Sequence, residues 1–255
     1  MQTQFKKLTD SQWEGIKNIL PIQRKRKHDL RDIINAIFWF NRVSVQWRNL
    51  PDNCPPWQSV YYYFRKWTLD GTIKDLNAWL VEIERVCQHK EAEASVMCTD
   101  SQSVKTGPFI SKDKGYDGFK KIKGRKRHIL VDTLGLIIGV VVGAANLADG
   151  KEGCRLLEQC SDRFTRLKKI LVDGAYSGTF TDFARERFNV VAEISSRPPT
   201  EKGFVPIKQR WVNERSFGWF NFFRRLDKDH EKTTESSESM ILIANIQIIL
   251  GRFDS

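Results

Sequence analysis

Apolar residues recur at helical spacing through the first ninety positions. Thr9 or Ser11 can cap a helix that runs through Trp13, Ile16, Ile19 and Leu20 and is ended by Pro21. After the basic run Arg24-Lys25-Arg26-Lys27-His28, Asp29 can cap a second helix with Leu30, Ile33, Ile34, Ile37, Phe38 and Val43 on one stripe. Asn49 to Pro56 reads as a proline-rich turn. Trp57, Val60, Tyr61, Phe64, Trp67 and Leu69 predict a third helix stopped by Gly71, and a fourth covers roughly Ile73 to His89. Short helices joined by tight turns, with basic residues among aromatics, suit a helix-turn-helix-like DNA-binding module. A small helical bundle gives the same pattern, and most of the aromatics belong to a core on either reading.

The pattern changes after about residue 92. Ala94 to Thr99 is a short run of small and apolar residues ending in Asp100. Arg127 to Val131 and Leu136 to Val142 are β-rich runs, and Asp132-Thr133-Leu134-Gly135 between them predicts a hairpin. Asp149 with Glu152 predicts a capping box for a helix through Leu157. Lys169 to Val172 is a further strand, ending at Asp173-Gly174. Ser177 can cap a helix to about Phe188, and Val190 to Ile194 is a short strand. Past a loop with Pro198-Pro199, Gln209 to Leu226 predicts one long amphipathic helix, with Val212, Trp219, Phe220, Phe223 and Leu226 on its apolar side. The order is strand, hairpin, helix, strand, helix, strand, helix. It predicts an α/β class, a mixed sheet flanked by helices in the order of a ribonuclease-H-like fold. The division expected is a helical DNA-binding region over residues 1–90 and a catalytic domain over 91–255.

Charge sharpens this picture. Against 31 Asp and Glu stand 42 Lys and Arg, and a surplus of +11 points to a polyanionic partner, since each cation set against a phosphate releases a counterion. The five cysteines are odd in number and none are spaced as a zinc site. They read as reduced thiols of a cytosolic protein. The longest apolar stretch, Leu134 to Ala145, is too short to span a bilayer, so no membrane partner is expected.

Candidate chemistry rests on carboxylates. Two-metal phosphodiester cleavage needs carboxylates that hold ions about 3.5 to 4 Å apart. Magnesium keeps several waters, so a few oxygen ligands suffice. Asp100 and Asp173 each end a predicted strand, the edge of an open sheet where ligands bind. Glu214 lies on the long helix, where helical spacing keeps Arg210, Glu214, Asn221 and Arg225 on one polar side. From spacing alone, an Asp at a strand end is usually a turn or cap residue and a Glu-Arg pair on a helix is usually surface.

Read together, the motifs narrow the choice. The first part of the chain carries Leu8-Thr9-Asp10-Ser11-Gln12-Trp13, then Gln46-Trp47-Arg48-Asn49-Leu50-Pro51 and Pro55-Pro56-Trp57-Gln58-Ser59-Val60-Tyr61, leading to Phe64-Arg65-Lys66-Trp67. The second carries Thr99-Asp100-Ser101-Gln102-Ser103-Val104-Lys105, Gly115-Tyr116-Asp117-Gly118 and Lys123-Gly124-Arg125-Lys126-Arg127-His128. Val131-Asp132-Thr133-Leu134-Gly135 and Val172-Asp173-Gly174-Ala175-Tyr176 follow, and Trp211-Val212-Asn213-Glu214-Arg215-Ser216-Phe217 and Arg224-Arg225-Leu226 close the set. In this order they resemble the DDE transposases of bacterial insertion sequences, the insertion-sequence-five family, over nearly the whole chain. The resemblance implies a ribonuclease-H-like catalytic domain. Its acidic metal-binding triad would fall on Asp100, Asp173 and Glu214, holding two Mg2+ ions for which Mn2+ can substitute. It also implies hydrolysis at the ends of a mobile element and joining of the freed 3′-hydroxyls to target DNA. The partners implied are terminal inverted repeats, target DNA and a second copy of the chain or a larger assembly. The family's Arg before the helix Glu falls on Arg210. Ile207 stands where the wider family often has Tyr, and Asn221 where it often has Lys.

DNA contacts are expected from Lys105, Lys120, Lys121, Lys123, Arg125, Lys126 and Arg127, in a mobile glycine-containing loop spanning Lys105 to Arg127, and from Arg210, Arg215, Arg224 and Arg225. Asp132 reads as a turn former, Asp149 as a helix cap, and His128 as structural or phosphate-contacting. Two other classes fit less of the pattern. A non-catalytic DNA-binding relative would not need the triad, and a cellular nuclease of the same fold would not need the N-terminal motifs.

Overall fold

The structure is a computed structural model that describes residues 5–21, 27–195 and 211–253. The helical part contains α1 (Asp10–Lys17), α2 (Leu30–Val43), α3 (Trp57–Leu69) and α4 (Thr72–Cys87). Thr9 closes a capping box on α1. Its hydroxyl accepts from the Gln12 amide at 3.2 Å, and the Gln12 side chain accepts from the Thr9 amide at 3.0 Å. Asp29 caps α2 through the Arg31 amide at 2.9 Å. Helix α1 stops at Lys17, before the expected Pro21, and Gly71 turns the chain from α3 into α4 in the left-handed region at φ 86°.

Six strands follow: β1 (Val96–Lys105), β2 (Gly115–Asp117), β3 (Ile122–Asp132), β4 (Ile137–Ala144), β5 (Lys169–Val172) and β6 (Val191–Ile194). Among the described residues they form one mixed sheet in the order β2-β3-β1-β5-β6, with β4 also paired to β3. β3 runs antiparallel to β1, β2 and β4, and β5 runs parallel to β1 and β6. The β3–β4 turn is built on Asp132. Its Oδ1 accepts from the amides of Leu134 (2.9 Å) and Leu136 (2.8 Å), and its other oxygen pairs with the Arg85 guanidinium of α4. The turn reading of Asp132 holds.

Strand alternation sends side chains to two cores. On one face Met97, Leu130, Val141, Ile170 and Val172 pack under α5 (Asp149–Gln159) and α6 (Thr179–Phe188). On the other, Cys98, Ile129, Val131, Val140, Val142 and Leu171 join a core that runs continuously into α7 (Trp211–Phe220), α8 (Arg224–Asp227), α9 (Thr234–Leu250) and all four N-terminal helices. Buried amides stitch these parts together. Asn77 on α4 donates to the Ile137 carbonyl (2.8 Å), Asn245 on α9 donates to Asn77 (2.7 Å), and Asn41 on α2 donates to the Met240 carbonyl (3.0 Å).

Three expectations need correction. The helix expected over Gln209 to Leu226 is broken at 221–223 into α7 and α8, because Phe223 turns inward to 1% exposure over Arg42. The mobile loop expected from Lys105 to Arg127 holds β2 and the first half of β3. The ladder there pairs Gly115 with Gly124, and Gly124 with Lys105. The sequence reading placed nothing beyond Leu226, where α9 forms the centre of the larger core.

Candidate active site

Asp100 is the fifth of the ten residues of β1, not its end. The parallel pairing of β1 with β5, however, stops at Cys98 and Leu171. Asp100 and Asp173 each lie two residues past that pair, so alternation puts both on the same face, at the mouth where the two strands part. The Asp100 carboxylate accepts from the Ser101 amide at 2.7 Å. Asp173 caps a short 3-10 turn, Gly174–Tyr176, accepting from the Ala175 amide at 3.0 Å. A cleft with about 200 Å³ of empty space lies between them, lined by Cys98, Thr99, Asp100, Leu171, Val172, Asp173, Ser195 and Asn213.

Helix α7 supplies Asn213 to this cleft. Asn213 is 2% exposed, and its Oδ1 has no hydrogen-bond partner among the described residues. Glu214, next along the helix, is exposed. Among the described residues no three His, Cys, Asp or Glu side chains stand together closely enough to hold a metal ion. Asp100 and Asp173 are thus brought to one cleft, and α7 borders it with Asn213 innermost. Sequence reasoning overlooked Asn213, although a signal was there. Asn213, Ser216, Phe217 and Phe220, all buried, follow the helical period and mark the inner face of α7.

Behind β1, on the opposite face, lies a polar cluster. Asp149 is the first residue of α5; the cap position is Ala148, which makes no side-chain cap bond. The expected capping role of Asp149 is therefore corrected. Its carboxylate accepts from Ser101 Oγ (3.1 Å), pairs with Lys126 Nζ (3.0 Å) and lies 3.8 Å from His128 Nε2. The other nitrogen of the buried His128 ring is 2.9 Å from the Tyr176 hydroxyl. Burial raises the Tyr176 hydroxyl well above its usual pKa, and the charges of Asp149, Asp100 and Asp173 push it further the same way. That hydroxyl is thus within electrostatic reach of all three carboxylates. Burial lowers the pKa of His128 to about 4, against a smaller opposing pull from Asp149, so its ring is neutral at pH 7.

The basic residues separate into two groups. Lys105, Lys120, Lys121 and Lys123 are exposed, as are Lys112 and Lys114. Arg125, Lys126 and Arg127 are buried, contrary to the exposed loop expected of them. Arg125 donates to the Glu231 carbonyl (2.9 Å) and pairs with Asp229 (3.3 Å), and Arg127 donates to the Leu226 carbonyl (2.7 Å). Burial of a cation is costly unless it is hydrogen-bonded or paired, and these contacts hold the three side chains along β3. Arg225 is likewise engaged, with Glu231 at 2.7 Å, the Val45 carbonyl at 3.1 Å and the Phe40 ring at 4.4 Å. Arg215 lies over Trp211 (4.3 Å) and Trp219 (4.9 Å) and donates to the Leu134 carbonyl (2.8 Å). Arg224 is exposed. Arg210 and Ile207 lie outside the described residues.

Residues 91–250, which span Asp100, Asp173 and Glu214, match the family described as "Transposase DDE domain". The chain belongs to the DDE transposases. Residues 8–77 match the family described as "Putative transposase of IS4/5 family", which sets this transposase among those of insertion sequences. It is also 26% identical over 102 residues to "Uncharacterized protein y4sN" of Sinorhizobium fredii (strain NBRC 101917 / NGR234), covering 38% of this chain and 75% of that protein. The mixed sheet flanked by helices is the ribonuclease-H-like domain of a DDE transposase. DNA is the partner the family implies, and such domains generally use divalent metals. The cleft of this transposase fits a hard cation. Its donors are the carboxylates of Asp100 and Asp173, the Ser195 hydroxyl and the unpartnered amide oxygen of Asn213, all oxygen. Among the described residues no helix is long and apolar enough to cross a membrane.

Proposed function

We propose that this transposase binds the terminal inverted repeats of its element, hydrolyses a phosphodiester at each end, and joins the freed 3′-hydroxyls to target DNA. The observation that carries the proposal is the placement of Asp100 and Asp173 on one face at the parting of β1 and β5, inside a chain of this family. Asp100, Asp173 and Glu214 would hold Mg2+, or Mn2+ in its place, with Glu214 turned toward the cleft when DNA is bound. The bound ions supply activation of the attacking oxygen and stabilisation of the leaving one. The chain's own residues position the strand. The exposed lysines Lys105, Lys120, Lys121 and Lys123, with Arg224, engage phosphates, and Arg210 and Arg215, close to Glu214 in sequence, add to that grip. Residues 1–90 recognise the repeat, residues 91–255 cut, and two or more copies bring the ends together in the bacterial cytoplasm, on the nucleoid. A non-catalytic relative is the second reading, favoured by the exposure of Glu214.

The test is cleavage of the inverted repeats flanking the gene by purified protein in Mg2+. Asp100→Asn, Asp173→Asn and Glu214→Gln keep shape but remove charge, so each should abolish cutting while repeat binding is unchanged or slightly tighter. Combined variants should be no worse than single ones. A wild-type chain that binds the repeat and never cuts with either metal establishes the non-catalytic reading instead.

A further inference from the structure

The β2–β3 hairpin carries a side chain that the fold does not use. Phe119, in its turn, is 102% exposed. A single exposed phenylalanine on a loose loop would be ordinary, but this turn is fastened. Asp117, itself buried, accepts from Ser103 Oγ of β1 at 2.5 Å through one oxygen. Through the other it accepts from the amides of Phe119 and Lys120, each at 3.0 Å. Lys121 closes the turn in the left-handed region at φ 53°, a conformation that disfavours a side chain and has to be held by its surroundings. Lys120 Nζ donates to the Ser101 carbonyl at 3.3 Å, one residue past Asp100. The ring is therefore presented on a stiff mount, within one lysine side chain's reach of the strand that carries Asp100.

Its surroundings are cationic. Lys120, Lys121 and Lys123 are all exposed, and the carboxylate of the turn itself, Asp117, is turned inward. An apolar surface partner would gain contact with one ring and leave three ammonium groups facing it. A nucleic acid strand satisfies both features, with phosphates against the lysines and a base face against the ring.

We propose that Phe119 stacks on a DNA base beside the phosphate processed at Asp100 and Asp173, holding that end of the strand unstacked for cutting. The proposal rests on reading that cleft as the place where the strand is cut. It adds a base contact to a surface otherwise expected to grip phosphates alone.

The test places 5-iodouracil in turn at each position flanking the cut in an inverted-repeat duplex and irradiates the complex with the full chain. The wild type should cross-link through Phe119 from positions next to the cut. Phe119→Ala should lose that cross-link and bind about 5- to 150-fold more weakly, with an unchanged salt slope, because no phosphate contact is lost. Phe119→Trp should restore affinity. Lys121→Gln should keep the cross-link and lower the slope by about 0.9. Since the ring buries nothing, Phe119→Ala should melt with the wild type. The proposal is overturned if Phe119→Ala binds as tightly as wild type with cross-links mapping elsewhere. It is also overturned if the variant loses only self-association in sedimentation without DNA, which would make the ring a contact between copies. A wild type that cross-links through Phe119 yet never cuts in Mg2+ overturns the cutting function and leaves the stack standing. Normal cutting without the cross-link overturns the stack alone.

Discussion

Asn213 and Glu214 are neighbours in sequence, but a helix turns about 100° between them, and packing decides which one meets the cleft. In α7 the inner place goes to Asn213. If its amide oxygen joins the ligand set, Asn213→Ala should weaken Mn2+ binding about tenfold, as loss of a supporting polar contact does at metal sites. Asp100→Asn should weaken it far more. Calorimetry without DNA measures both, and unchanged Mn2+ affinity in Asn213→Ala would remove Asn213 from the site. Asp149 presents a different case. It pairs with Lys126, which is 9% exposed, so Asp149→Asn leaves a nearly buried cation without its carboxylate. The expected cost is about 2 kcal/mol in urea unfolding, below the roughly 3–5 kcal/mol of breaking a fully buried pair because Asp149 itself is 19% exposed. Lys126→Met in the same chain should recover most of it. A single variant as stable as wild type would show that the pair does not hold β3 to α5.

At the scale of elements, the glycines of the basic segment set where chains touch. A Cβ on Gly124 would lie 1.9 Å from the Val104 carbonyl oxygen of β1, a backbone atom that can retreat only if the β1–β3 ladder opens. A Cβ on Gly118 meets nothing within 4 Å. Gly124→Ala should therefore cost about 1–3 kcal/mol, the range for overpacking. It should also weaken DNA binding by tilting the hairpin that carries Lys120 to Lys123. Gly118→Ala should do neither. Equal melting temperatures for the two variants would disprove this, and would restore the picture of a mobile loop in which glycines supply only freedom.

For the whole molecule, one core joins the N-terminal helices to the sheet, so charge buried at the centre of that core acts on the stability of the entire chain. Burial raises the pKa of Glu238 on α9 from 4.5 to about 7, partly offset by the hydrogen bond it accepts from the Val142 amide at 3.0 Å. The folded state therefore binds the proton more tightly than the unfolded one. The stability this contributes is full below pH 4.5 and is lost as pH rises through about 7. His128 has the opposite sign. Its pKa is depressed from 6.5 to about 4, so its contribution is full above pH 6.5 and is lost as pH falls through about 4. The two oppose each other between pH 4.5 and 6.5. Glu238→Gln removes one of them. Relative to the wild type, its urea midpoint should rise between pH 4.5 and about 7 and keep that offset above 7. A variant profile parallel to the wild type would contradict the assignment.

The sequence by itself determined the helices that bury one face and the turn at Asp132, whereas the mouth that brings Asp100 and Asp173 together comes from the pairing of β1 with β5. The helices and the turn rest on local periodicity and capping, and local rules are legible along a chain. Helix α9 escaped because it is buried nearly all round. Its serines and Asn245 are as enclosed as its isoleucines, so it has no apolar stripe to read. The first half of β3 escaped because Arg125, Lys126 and Arg127 look like a solvated run. Asp229, the Glu231 and Leu226 carbonyls and Asp149, brought from distant parts of the chain, make their burial affordable. The inner place of Asn213 in the cleft was decided the same way, by the rotation of α7 that lets Ser216, Phe217 and Phe220 pack inward. Alternation and period act between neighbours in sequence, whereas the pairing of a buried charge and the phase of a helix depend on residues that only the folded chain brings together.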